Sequence, residues 1–245
     1  MYPKLTFITV VRNDADGLLT TLKNITSLSY PNKEVIIIDG ASTDGTIEVI
    51  QNHLHDITYF VSESDSGIYD AMNKGIKAAT GAFLWFINAG DTVLNTEILK
   101  QFFTTDNFLA DIYYGETIIT STEGEKLGLR GKPLPEKLTV KSLKNGMVIC
   151  HQSFIIRRSI TPLYDTKYKY SADYDWMIKC VKRAKSSINI HEPLSIFRLG
   201  GATTRHHKAS LRERFKIMRK NFGLFSTVFY HIKFVFNALF SKKYR

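Results

Sequence analysis

Cysteine is nearly absent from these 245 residues: Cys150 and Cys180 are the only two. Both sit in apolar or helical contexts without metal-ligand spacing, so neither a disulfide framework nor a zinc site organises the chain, and a reducing compartment fits best. A leader is lacking as well. The first apolar run, Leu5 to Val11, has no basic lead and no small-residue cleavage pattern, so the protein is expected to stay in the cytosol. There is no internal repeat and no low-complexity stretch. An excess of one charge is also missing over most of the length. The formal net charge is +10, yet residues 205–245 hold eleven Lys/Arg against the single acid Glu213, and the preceding 204 residues balance. What remains is 44% apolar, enough for a proper core in one large domain or two small ones.

Within that frame the chain alternates. Short β-branched runs at 5–11 (LTFITVV), 34–39 (EVIIID), 57–62 and 83–88 (FLWFIN) are separated by helical patterns, the first carried by Leu18, Leu22 and Ile25. Near-continuous apolar strands alternating with helices predict an α/β fold, a mostly parallel sheet flanked by helices. Beyond Asp91 a helix over 92–103 is expected, capped by that acid, then strands at 112–119 and 154–157, a loop over 127–138 and a helix over 174–184. Residues 224–240 place Phe225, Val228, Phe229, Ile232, Val235 and Phe236 at three- and four-residue intervals, an amphipathic helix with cations clustered at both ends.

In open parallel sheets ligands bind beyond the carboxyl ends of the strands. Three such ends carry acids here: Asp39, Asp65 and Asp91. Each has an ordinary reading, because Asp39-Gly-Ala-Ser-Thr-Asp-Gly-Thr46 is also a strand-to-helix turn with caps. The segment 65–76 is likewise an amphipathic helix with Ile68, Met72 and Ile76 buried and Asp70, Asn73 and Lys74 polar. Read together, however, 39–46, Asp65-Ser-Gly-Ile-Tyr-Asp-Ala-Met-Asn-Lys-Gly-Ile76, Gly81 and Phe86-Ile-Asn-Ala-Gly-Asp91 resemble, in order and spacing, the family-2 inverting glycosyltransferases.

That resemblance spans roughly residues 5–204 and implies a GT-A-type, Rossmann-like fold. Residues 1–204 would form the transferase domain, 1–100 the nucleotide-sugar half and 101–204 the acceptor half, with 205–245 a basic amphipathic helical tail. Thr9, Asp39, Asp65, Asn73 and Asp91 would lie on the donor side. Asp91 matches the family's metal-binding acid, for Mg²⁺ or Mn²⁺, although Gly90 stands where a second acid often stands. In Ser171-Ala-Asp-Tyr-Asp-Trp176, Asp173 aligns with the general base and Asp175 with a neighbouring acid favoured by a helix N-terminus. His151-Gln152 and Arg198 match weaker acceptor-side or phosphate positions. The reaction implied is transfer of a sugar from a nucleotide diphosphate, a UDP-sugar by family weighting, to a hydroxyl of a glycan or lipid-linked saccharide. Transfer to a polyprenyl phosphate or a protein is the alternative within enzymology. The non-enzyme alternative is a basic-tail protein that binds nucleic acid or membrane. Cations at the ends of an aromatic stripe suit an anionic membrane surface better than nucleic acid, which would place the protein peripherally on the inner face of the cell membrane; the alternative is a helix packed on its own catalytic domain or on a partner subunit. The oligomeric state stays open.

Overall fold

The structure, a computed structural model, describes residues 2–94, 96–103, 110–131, 133–200 and 206–240. Four strands come first: β1 Leu5–Val11, β2 Lys33–Asp39, β3 Tyr59–Ser62 and β4 Phe83–Phe86, linked by helices α1 Ala15–Ser27, α2 Thr46–Asn52 and α3 Ile68–Ala78. They pair in parallel in the order β3-β2-β1-β4. Every residue of β1 is buried, which is why its sequence is continuously apolar rather than alternating. Leu5 and Phe7 join α1's Leu18, Leu22 and Ile25 on one face. Ile8 and Val10 join α3's Met72 and the later helices on the other.

Past Asp91 the pattern changes. Short β5 (Thr92–Val93) and α4 (Glu97–Phe102) replace the expected helix over 92–103, so Asp91 caps no helix there. Next come β6 Ile112–Thr120, β7 Lys126–Leu129, β8 Phe154–Arg157, α5 Ala172–Arg183 and β9 Ser187–Arg198. The sheet order is β3-β2-β1-β4-β8-β6-β9-β5, with β7 on β6. β8 runs antiparallel to both β4 and β6, while β6 and β9 are parallel. The sheet is therefore mixed rather than wholly parallel, with the parallel part in the first four strands and the β6–β9 pair. β8 returns to β4 through a long connection rather than a right-handed helical crossover, and that reverses its direction.

Helices α6 (His207–Phe222) and α7 (Leu224–Phe240) follow. Ile217 and Met218 of α6 are buried in the same core as α5's Trp176 and Met177. Glu213 accepts hydrogen bonds from the backbone N–H groups of Lys169, Tyr170 and Ser171, at 2.8, 2.9 and 2.9 Å. The tail's one acid thus ties α6 to the start of α5, so α6 packs on the core instead of standing apart. The expected domain boundary at 204 to 205 lies outside the described residues.

Candidate active site

The carboxyl ends of β1, β2 and β4 meet at a ridge of loops. After β1, Asn13 turns the chain with a left-handed φ of 51°. Its backbone N–H donates to the Ser42 hydroxyl at 2.7 Å, and its side-chain oxygen accepts from the Thr43 N–H at 2.8 Å. Asp39, fully buried, accepts from Ser42 and from the Ser62 hydroxyl, the latter at 2.6 Å. Asp44 accepts from the N–H and hydroxyl of Thr46 at the head of α2. The turn-and-cap reading of 39–46 is thus met by these residues. Asp65 reaches this ridge from the next strand: a Cβ on Gly40 would stand 2.5 Å from its Oδ2. Thr9 lies inside β1 rather than at its end, with its hydroxyl buried and without a partner among the described residues.

Asp91 sits at the bottom of the turn after β4, 3% exposed. Its Oδ2 accepts from the Gln152 amide at 2.8 Å and its Oδ1 from the Arg198 N–H at 3.2 Å. Burial pushes its carboxyl up to about 7, against the pull of Gln152 and Arg198. The Arg198 guanidinium pairs with Asp14 at 2.8 Å. It lies over Gly90, whose φ is +87° and whose Cβ would come within 2.6 Å of Nη2. The glycine standing where relatives often carry an acid is what admits this arginine. Gly90→Ala is therefore expected to displace Arg198 and, by loss of one charged contact, to weaken nucleotide-sugar affinity about 10–100-fold. Isothermal titration measures this, and an unchanged Kd would mean that Arg198 does not touch the donor.

The turn 151–153 joins this corner to the second one. It is anchored by the Trp85 indole donating to the Gln152 carbonyl at 2.7 Å and by Ser153 bonding to β6. His151 meets the Asn88 amide at 3.2 Å. Burial holds the imidazole below its ordinary value, with the Asp173 carboxylate pulling the other way. Asp173 stands in the first turn of α5, its Oδ1 accepting from the Tyr174 N–H at 2.8 Å. Burial, followed by the Asp173 carboxylate, pushes the phenol of Tyr69 on α3 well above its ordinary value. The Asp91 and Asp173 carboxylates both act on the Cys150 thiol, which burial raises. Asp91 thus contacts the turn 150–152 directly, and the Asp173 charge acts on Cys150 and His151 within it.

Two expected site residues also have structural partners. Asn73 bonds the backbone of Tyr164, donating at 3.0 Å and accepting at 2.7 Å, and so clamps α3 to the 160s. Asp175 is buried and paired with Lys179 at 2.6 Å and Lys220 at 3.6 Å, which holds α6 against α5. The Gly-Gly-x-Thr stretch after Arg198 runs into residues 201–205, outside the described residues.

Sequence reasoning missed Arg130, Asp14, Asn88 and Tyr69. Arg130 Nη1 is buried without a hydrogen-bond partner among the described residues, and its charge acts on Cys150 and His151. Asn88 Oδ1 is likewise buried and unpartnered. Only Asp14 left a signal, as the N-cap before α1.

The sequence model described as "Glycosyl transferase family 2" matches residues 6–161. A PGL/p-HBAD biosynthesis glycosyltransferase of Mycobacterium bovis (strain BCG / Pasteur 1173P2) is 30% identical over 187 residues, 73% of this chain and 70% of the relative. Among solved structures, S. aureus TarS 1-349 in complex with UDP-GlcNAc superposes with a TM-score of 0.67 at 16% identity over 89% of this chain. This chain spans 65% of that protein's length. Mannosyltransferase PcManGT from Pyrobaculum calidifontis, in complex with GDP-Man and Mn²⁺, gives a TM-score of 0.55 at 15% identity, covering 99% of this chain and 77% of that one. These structural matches show the GT-A-type fold that the resemblance implied.

Proposed function

The chain belongs to glycosyl transferase family 2 and is a nucleotide-sugar glycosyltransferase; from that premise we propose an inverting single displacement with Asp173 as general base and the Asp91 corner as the seat of the leaving diphosphate. The observation that supports this reading is that the Gln152 amide donates to Asp91 at 2.8 Å while the Asp173 carboxylate acts on Cys150 and His151 in the same turn. As the acceptor oxygen attacks the anomeric carbon, its proton passes to the free oxygen lone pairs of Asp173. The bond from that carbon to the diphosphate breaks on the opposite face, which inverts the anomeric centre. The Tyr174 N–H fixes the carboxylate's orientation so that less reorganisation is needed at the moment of reaction. Arg198 and the unpartnered Arg130 meet the negative charge that leaves with the nucleotide.

A divalent ion fits modestly. Among the described residues no three His, Cys, Asp or Glu side chains converge, but Asp91 and the orphaned Asn88 Oδ1 offer hard oxygen donors within one four-residue turn. Mg²⁺ or Mn²⁺ completes such a shell with waters and substrate phosphate oxygens. When bound there, it supplies positive charge for the departing diphosphate.

The acceptor is a hydroxyl of a glycan or lipid-linked saccharide met at the cytoplasmic face of the membrane. No helix among the described residues is long and apolar enough to cross a bilayer, yet α7 leaves Phe225 93%, Phe229 65% and Phe236 56% exposed. Such a stripe, next to the cations of α6, suits the interface of an anionic bilayer. A thermal-shift screen of nucleotide sugars with and without Mg²⁺ or Mn²⁺ tests the donor half. One nucleotide diphosphate sugar raises Tm, because ligand bound only to the folded state stabilises it. No shift with any of them would contradict the reading.

A further inference from the structure

Resting on that reading, we infer that the cavity between α6, α7 and residues 133–148 holds the acceptor's hydrocarbon chain, with Arg214 pairing a phosphate group at its polar end. The cavity measures about 1030 Å³, the top of the range of about 300–1,000 Å³ usual for small-molecule sites. Leu134, Val148, Tyr174, Met218 and Phe234 form its walls, and no carboxylate among the described residues lines it. The charged groups that do line it are the cations Arg214 and Lys233, beside His207 and His231. Arg214 Nε is buried without a hydrogen-bond partner among the described residues, a donor waiting for an acceptor in otherwise apolar surroundings. An apolar chamber whose only charges are positive selects an amphiphile with a hydrocarbon body and an anionic group. It rejects a free sugar, which needs many hydrogen bonds, and a purely apolar lipid, which leaves Arg214 unpaired.

Both ends of the cavity connect to features already described. His231 and Val235 also line a second hollow of about 290 Å³ with Ile232 and Phe236, residues of α7's exposed stripe, so the chamber opens toward the surface expected to meet the bilayer. At the other end, Tyr174 is the residue after Asp173, and the Arg214 charge acts on the Tyr174 phenol. Glu213, next to Arg214, holds the N–H of Ser171, two residues before the base. The cavity thus borders α5 at Tyr174, so a phosphate held by Arg214 would lie against the helix that carries Asp173.

The test measures binding of farnesyl phosphate, farnesol and inorganic phosphate to the full chain, with nucleotide-sugar binding followed in parallel. Farnesyl phosphate is expected to bind, with farnesol and inorganic phosphate each at least tenfold weaker. Arg214→Ala is expected to weaken farnesyl phosphate about 10–100-fold. Leu134→Trp, which fills the mouth of the cavity at a half-buried position, abolishes it, and both variants retain the nucleotide-sugar signal. Farnesyl phosphate that fails to bind a chain still binding nucleotide sugar overturns the cavity assignment and leaves the catalytic reading standing. So does binding that ignores both substitutions. Vesicles of anionic lipid without farnesyl phosphate serve as the third arm: if Arg214→Ala loses these vesicles equally, Arg214 is a general surface contact and the assignment falls. Loss of the nucleotide-sugar signal in the unaltered chain would count against the catalytic reading itself.

Discussion

Asp173→Asn is expected to lower sugar transfer by about 10²–10⁴-fold, the range for loss of a positioned general base, while leaving donor affinity and Tm within error of the unaltered chain. The asymmetry follows from what the carboxylate touches. Its Oδ1 accepts the Tyr174 N–H at 2.8 Å, a bond that an amide oxygen keeps, so the start of α5 stays formed. Asp91, Gln152 and Arg198 make their contacts without it. What an amide cannot do is take the proton of the acceptor hydroxyl. Single-turnover transfer, with donor binding measured separately, separates the two effects. Full turnover by Asp173→Asn would remove Asp173 as the base, and lost donor binding would make its role structural.

Asp91→Asn should stabilise the free protein at pH 8 and disable it. The Asp91 carboxyl takes up its proton at about 7 in the folded chain, against an ordinary value of 3.8. Between those values the native state holds a proton that the unfolded state has released, so stability falls as pH rises from about 4 to 7 and is flat above. The amide carries no such penalty: the Tm of Asp91→Asn exceeds that of the unaltered chain at pH 8 by several degrees, at about 2–4 °C per kcal/mol for this size. The difference vanishes near pH 4. Gln152 can turn its own amide to suit the new donor, so the corner stays hydrogen-bonded. Activity moves the opposite way, by about 10²–10³-fold, as expected when a group that anchors charge compensation for the leaving group is lost. Equal Tm at pH 8 and pH 4 for the two chains would mean that the Asp91 carboxyl is not held up by burial.

How much of this was legible depended on whether the signal was local. β8 at Phe154–Arg157 and α7 at Leu224–Phe240 fall where the sequence places them, because a short apolar run and an unbroken amphipathic stripe each declare themselves without their neighbours. β9 did not. Its twelve residues include Ser187, Asn189, His191, Glu192 and a proline, and it is a strand because β6 pairs with it, with register shifts near Glu116. Since β9 delivers Arg198 to Gly90, the sequence could pair Arg198 with a phosphate only through the resemblance. The structural contacts of Asn73 and of Asp175 with Lys220 were hidden for the complementary reason. Their polar character was visible, and the i,i+4 pair of Asp175 with Lys179 is local, but Tyr164 and Lys220 are 91 and 45 positions away in sequence, and only the fold brings them close. The same distance hid the role of Glu213 in holding the base-bearing helix.

A crystal structure of the chain bound to whichever nucleoside diphosphate stabilises it most tests directly whether Asp91 and Asp173 serve one site. The diphosphate is expected between the Asp91 turn and Arg198, with its outer phosphate turned toward Asp173 across residues 150–152. A nucleotide seated anywhere that leaves Asp91 and Asp173 on opposite sides of the ligand-free protein wall would contradict the mechanism.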